Sequence, residues 1–258
     1  MPTYFLGYRK KKSHHPPAQL MFDFPVQPDC RIDNFVVCQE NELAYNAAVT
    51  LAAAPLNPEF NPLVFVGDGG AGKTHLIHAI ARKVEADYPN HKIAILSTAD
   101  IIGEETEPSE LSDIFKKFND LDLLLIDDIH LIEGHDSLQE GVFHLYNQLL
   151  ANNRPVVFTS RVSPTNLKGI EGYLSSRLLS GAIVSIKDSE DNIRISILKK
   201  IARDRNVTLS DNAAQFIINH HSRDIDRFEE IIDKISAYAG SLKMRITPPL
   251  IKKALGDN

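Results

Sequence analysis

Short apolar runs recur along the middle of the chain, separated by stretches of helical periodicity. Leu63-Val64-Phe65-Val66, Lys92-Ile93-Ala94-Ile95-Leu96, Leu123-Leu124-Leu125-Ile126, Pro155-Val156-Val157-Phe158 and Ala182-Ile183-Val184-Ser185-Ile186 are mostly apolar and rich in branched side chains. Such runs predict buried parallel strands. Five of them with helical stretches between most predict an α/β fold built on a five-stranded parallel sheet covered on both faces. After about Lys187 the strand pattern stops. Residues 191–205, 211–221, 225–239 and 248–255 each read as a helix. Ser210 is placed to cap the second, Gly240 to end the third, and Thr247-Pro248 supplies an N-cap followed by proline at the first helical position.

The first thirty residues carry neither pattern. Arg9-Lys10-Lys11-Lys12, the pair His14-His15 and prolines at 16, 17, 25 and 28 disfavour helix and sheet and predict an extended arm. The expected organisation is an arm over 1–30, an α/β domain over 31–187 and a small all-α domain over 188–258.

Composition narrows the class. A chain of 258 residues, 43% hydrophobic and 24% charged, is ordinary for a globular protein of one large or two small domains. Cys30 and Cys38 are too few for a disulfide framework and lack zinc-ligand spacing, so they read as free thiols. No apolar run approaches the roughly 18 residues of a bilayer span, and the basic stretch is followed by His and Pro instead of a signal core. A cytoplasmic protein without membrane contact is expected. The net charge of −6 argues against a chain whose main task is gripping a phosphate backbone. The ten histidines show no metal-ligand spacing and read as packing or surface positions.

One stretch points to chemistry. Gly67-Asp68-Gly69-Gly70-Ala71-Gly72-Lys73-Thr74 fits G-x-x-x-x-G-K-[ST] between a strand and a helix expected to begin near His75. Glycines let backbone N–H groups converge on phosphate oxygens, Lys73 neutralises the outer phosphates, and the Thr74 hydroxyl suits Mg²⁺. The helix adds the positive end of its dipole. Asp127 and Asp128 follow a buried strand, where an α/β sheet presents residues to its ligand. Asp127 is expected to hold Mg²⁺ through water and Asp128 to polarise an attacking water. A site for ATP or ADP with Mg²⁺ follows.

The same residues carry a family likeness. Asp33-Asn34-Phe35-Val36-Val37, Asn61-Pro62-Leu63, the stretch Gly72 to Ile80, Leu124-Leu125-Ile126-Asp127-Asp128-Ile129-His130, Tyr146-Asn147-Gln148-Leu149, Val156-Val157-Phe158-Thr159-Ser160 and Leu174-Ser175-Ser176-Arg177-Leu178 resemble, in order, the AAA+ core of the bacterial replication initiator family DnaA. The resemblance runs from about 30 to 255 and implies an AAA+ core followed by a helical lid. It implies that Thr159 and Ser160 end the sensor 1 strand beside the γ-phosphate. It places Arg177 where the family keeps an arginine finger that reaches a neighbouring subunit's nucleotide, although its own residues alone favour a surface salt bridge. Assembly of several copies upon nucleotide binding is a further implication.

Departures from the initiators refine the expectation. The sequence stops after the lid, so no helix-turn-helix domain and no sequence-specific duplex binding is expected. Where initiators carry a basic, strand-binding helix pair, this chain has Glu104, Glu105, Glu107 and Glu110 with Gly103 and Pro108, which repel phosphate and weaken helix. The lid's sensor 2 arginine falls near Asp226, and Arg227 is turned about 100° around the helix. Arg161 stands where initiators usually have an acid, either as a surface residue or as a second charge near the phosphate or a subunit boundary. In the arm, Gln19-Leu20-Met21-Phe22-Asp23-Phe24 resembles the peptide by which replication proteins dock on the β sliding clamp. Leu20, Phe22 and Phe24 would be the apolar anchors and Gln19 the hydrogen-bonding one, unless the aromatics pack back on the core.

This is the layout of the family's regulatory inactivators. The resemblance therefore implies two partners, DnaA and the β sliding clamp, and an action on the initiator's nucleotide. Whether the chain is itself a weak ATPase stays open. A helicase loader or adaptor switched by nucleotide is the alternative, and a small-molecule P-loop kinase the least favoured.

Overall fold

The computed structural model describes residues 27, 30–103, 111, 115, 116, 118, 120–187, 191–222 and 227–256. The arm with its Gln19, Leu20, Phe22 and Phe24, the acidic residues Glu104, Glu105, Glu107 and Glu110, and Asp226 lie outside the described residues. The chain divides into two compact units, one ending at Ile186 and one beginning at Lys187, with Gly69–Ala71 grouped with the second.

The first unit is an α/β layer structure. Strands β1 (Leu63–Val66), β2 (Ile93–Ser97), β3 (Leu123–Asp127), β4 (Val156–Ser160) and β5 (Ala182–Ser185) form one parallel sheet in the order β2-β3-β4-β1-β5. Its helices are α1 (Glu42–Ala53), α2 (Lys73–Asp87), α3 (Thr98–Gly103), α4 (Asp136–Ala151) and α5 (Gly172–Leu178). β1 is buried along its whole length, as expected when helices cover both faces.

The expected strands are present, with one systematic shift. β2, β3 and β4 run on to Ser97, Asp127 and Ser160, beyond where hydrophobicity stops. Register explains it: Phe65 and Val66 pair with Thr159 and Ser160, and Leu96 and Ser97 with Ile126 and Asp127. Ladder hydrogen bonds continue after side chains have turned polar, and that polar end of the sheet is where ligands of open α/β sheets lie. Helix α2 starts at Lys73, two residues before the expected His75.

The second unit contains α6 (Asp191–Asp204), α7 (Asp211–His220), α8 (Phe228–Leu242) and α9 (Pro248–Leu255). Its core is apolar, with Leu198, Ala214, Ile217, Phe228, Ile232 and Ile251 among the fully buried members. Ser210 caps α7 by accepting from the Ala213 N–H at 3.3 Å. One expectation needs correction, and one is met without its side-chain bond. Gly240 does not end α8, which continues to Leu242 and closes on Lys243 in the left-handed region, φ 52°. Thr247 occupies the N-cap position of α9, but its side chain makes no capping bond. Pro248 and Pro249 put two residues without an N–H into the first turn, so the usual N2 donor is missing. Among the described residues no helix is long and apolar enough to cross a membrane.

Candidate functional site: a phosphate loop facing an acid pair

The loop after β1 is tied down at its start, where Gly67 N–H donates to Ser160 O at 3.1 Å. At its end Gly72 has φ +92°, and a Cβ there would stand 2.8 Å from Phe35 Cε2. Backbone conformation and close packing therefore both call for glycine. Gly72 is the N-cap of α2, whose first turn contains no acidic residue, which leaves its N–H groups and positive dipole end open to an anion.

Lys73 is only 5% exposed. Its Nζ donates to Gly67 O at 2.7 Å and Asp68 O at 2.9 Å, so the ammonium lies along the inner curve of the loop. The next residue reaches the opposite strand: Thr74 Oγ1 donates to Asp127 Oδ2 at 2.8 Å. Asp127 also accepts from Thr159 Oγ1, whose oxygen accepts the Asp128 N–H at 2.8 Å. One hydroxyl thus holds both members of the acid pair. Asp128 takes up the left-handed region, φ 54°, a strained conformation for an acid that clusters at functional sites. The Thr74 hydroxyl and Asp127 carboxylate are hard oxygen donors side by side, chemistry that suits Mg²⁺, which takes one or two such protein ligands together with phosphate oxygens and water.

Around the acid pair, His130 Nδ1 accepts the Arg161 N–H at 3.4 Å and stands 3.7 Å from Asp128 Oδ1. Burial depresses the His130 pKa, assisted by Arg161 and Lys73 and opposed by Asp128. The Arg161 side chain is exposed.

The structure joins some expected residues and separates others. Gly67, Asp68, Gly69, Gly70, Ala71, Gly72, Lys73 and Thr74 form the loop and helix start, and Asp127, Asp128 and Thr159 close on it. Ser160 turns elsewhere: its hydroxyl donates to Val162 O at 2.6 Å and accepts Val162 N–H at 3.1 Å, closing the turn after β4. His75 Nε2 lies 3.1 Å from Arg31 O and its ring packs edge-on to Phe35 at 5.3 Å. Arg177 rides on α5 with its guanidinium 6.0 Å from the Phe143 ring centre, a cation–π contact. The salt bridge open to it by sequence is not formed among the described residues. Two features escaped the sequence reading: the Phe35–Tyr45 stack at 5.9 Å beside the loop, and the buried Gln139. The signal for Gln139 is a polar residue beside Leu138 and Val142 on the apolar stripe of α4.

A phosphate loop after an interior strand, an acid ending the strand two places away and a small helical unit after the sheet define an AAA+ P-loop protein. The chain belongs to the bacterial DnaA family: residues 26–185 match the family described as Bacterial DnaA ATPase domain, and residues 191–255 match the one described as Hda, lid domain. The chromosomal replication initiator protein DnaA of Burkholderia mallei (strain SAVP1) is 36% identical over 235 residues, which are 90% of this chain and 44% of that protein. DnaA of Burkholderia thailandensis matches equally, at 36% over the same shares. The chain thus spans less than half the length of these relatives. Domain III of Thermotoga maritima DnaA superposes with a TM-score of 0.81 at 26% identity, covering 90% of this chain and 98% of that one. AMPPCP-bound DnaA from Aquifex aeolicus gives 0.70 at 25% identity, covering 82% and 66%.

Proposed function

We propose that this chain is an Hda-like regulator of replication initiation, which binds ATP or ADP with Mg²⁺ at its own P-loop and uses Arg177 on nucleotide held by DnaA. Gly67 to Thr74 cradle the phosphates, with Lys73 as counter-charge and His75 flanking the loop; Thr74 and Asp127 hold the metal, which when bound neutralises phosphate charge. Thr159 holds Asp127 and Asp128 in place, and Ser160 anchors the turn behind them. Asp128 is the residue placed to orient a water in any hydrolysis by the chain itself. Arg177, which forms no ion pair among the described residues, is available to a neighbouring molecule, where a guanidinium offsets charge growing on phosphoryl oxygens. The arm residues Gln19, Leu20, Phe22 and Phe24 dock on the β sliding clamp and bring the protein to DNA through a partner, in the cytoplasm. Nucleotide-dependent assembly of several copies belongs to the same reading.

The observation that supports this best is the double match, an initiator-type ATPase core followed by a lid of the Hda type. The test is single-turnover hydrolysis of ATP held by DnaA, with clamp loaded on DNA. The protein is expected to accelerate it, Arg177→Ala to remove the acceleration while keeping nucleotide affinity, and the pair Leu20→Ala with Phe22→Ala to remove clamp binding. No acceleration by the unaltered protein points to a helicase loader or adaptor instead.

A further inference from the structure

Helix α5, which carries Arg177, is seven residues long. A helix this short does not hold its own direction in water, so its orientation depends on what anchors it. Leu174 and Leu178 are buried and fasten one side. The N-terminal end is fastened by a side chain from α4. Gln139 is fully buried, and its carboxamide is engaged at both ends. Nε2 donates to Ile132 O at 3.0 Å and to Gly169 O at 2.8 Å; Oε1 accepts the Glu171 N–H at 2.8 Å. Glu171 is the N-cap residue of α5, and its carbonyl accepts from Leu174 and Ser175.

Each of these three bonds ends on backbone, and the backbone belongs to two segments far apart in sequence. Ile132 closes the 3-10 turn Ile129–Ile132, which begins directly after Asp128. Gly169 and Glu171 belong to the strap leading into α5. Two further bonds join the same segments, Gly134 N–H to Gly169 O at 3.1 Å and Lys168 N–H to Glu133 Oε1 at 3.0 Å. Gln139 and Phe143 are one turn apart on α4 and therefore share a face: the first fixes the start of α5, the second meets Arg177 near its end. A buried amide whose donors and acceptor are all satisfied costs little to keep and much to disrupt, because removing it strands partners inside the protein.

We propose that Gln139 is a positioning residue for Arg177: its buried carboxamide locks helix α5 to the turn that follows the acid pair and so sets where the guanidinium is presented. The inference rests on the reading of Arg177 as the residue that acts on a partner's nucleotide. It adds that the arginine's register is referenced to the chain's own Asp127–Asp128 turn.

The test compares full-length protein with Gln139→Met, which keeps length and volume but makes none of the three bonds, and with Arg177→Ala. Two readouts are taken. In hydrogen exchange, Gln139→Met is expected to speed exchange over residues 171–178 by about ten-fold or more while leaving β1 and β4 slow. In DnaA-bound ATP hydrolysis titrated with each protein, it is expected to lower the saturating rate by about ten-fold with the half-saturating concentration nearly unchanged. A merely destabilised variant behaves differently, since an unfolded fraction moves the half-saturating concentration and leaves the plateau. Unchanged exchange over 171–178, or an unchanged plateau when Arg177→Ala has lost it, overturns the role of Gln139. If Arg177→Ala performs as the unaltered protein does, the arginine reading itself falls, and the exchange experiment still decides whether Gln139 holds α5. If Gln139→Met fails to fold, Gln139→Asn, which keeps the amide but falls one methylene short, supplies the same two comparisons.

Discussion

The two units of this chain fill their interiors in different ways. In the α/β unit polar side chains go fully inside: Lys73, Thr98, Gln139, Thr159 and Ser160 are each no more than 5% exposed. In the helical unit the buried core is aliphatic apart from Phe228, and most charges stay outside, as in the Arg205 pairs with Glu229 and Asp233 at 2.7 and 2.9 Å, with Arg194 the buried exception at 9% exposure. A buried polar group costs free energy unless it is bonded, so a protein that keeps several at one end of a sheet keeps them for the positions they hold. The helical unit needs only an apolar stripe on each helix to assemble. The α/β unit depends on individual hydrogen bonds: those of Lys73 and Thr159 hold the phosphate loop and the acid pair, those of Ser160 and Gln139 hold the turns that follow, and Thr98 Oγ1 has no bond among the described residues.

Mutations can break that contrast from either side. The largest expected effect lies in the helical unit, where Phe228→Ala removes a fully buried ring and should cost about 3–5 kcal/mol in urea unfolding of that unit; a loss below about 1 kcal/mol would mean its interior is not tightly packed. Next comes Thr159→Val, which conserves shape and strands the Asp128 N–H. It should cost about 1–3 kcal/mol, and a neutral result would show that the acid pair does not depend on this hydroxyl. Gly240→Ala works in the opposite direction. A Cβ there meets nothing within 4 Å, and the position is inside α8, so alanine should stabilise by about 0.5–1 kcal/mol. Destabilisation would restore Gly240 as a helix terminator.

The smallest effect is a pH dependence. Burial depresses the pKa of His78, with the nearby His75 acting the same way and Asp127 opposing. Well above the ordinary imidazole value of 6.5 neither folded nor unfolded chain holds a proton on this ring, and stability is flat. Below it the unfolded chain takes up a proton that the buried ring resists, so stability falls as pH falls. Thermal melts of the protein and of His78→Gln across pH 6 to 8 read the difference; parallel curves would remove His78 from the account.

Much of the fold was legible because its signals are local. β1 stands at Leu63–Val66 as its apolar run implied, and the phosphate loop announced itself through glycine, lysine and threonine at fixed spacing. Strand ends were less legible, since Thr159, Ser160 and Asp127 sit in the ladder while looking like loop residues. Gly240 was misread, whereas Thr247 and Pro248 stand at the N-cap and first helical position as expected, without a side-chain capping bond. A cap depends on the backbone donors and conformations beside it, and Lys243 and Pro249 decided those two ends. The burial of Gln139 was legible from its place on the apolar stripe of α4, but its role was not, because its three partners are backbone atoms brought near by the tertiary fold and no residue type marks them. The resemblance to the initiator family located Arg177, yet only the structure shows what stands beside it.

The central claim is that the phosphate loop, with Lys73 and Thr74, and the acid pair facing it form a Mg²⁺–nucleotide site. Calorimetric titration of nucleotide-free protein with ADP and Mg²⁺ tests it most directly, run beside Lys73→Ala. Saturable binding by the protein, weakened about 100-fold or more by the substitution, is the predicted result, corresponding to about 3 kcal/mol for a buried ammonium on phosphate. Equal affinity in the two proteins, or no binding by either, would contradict it.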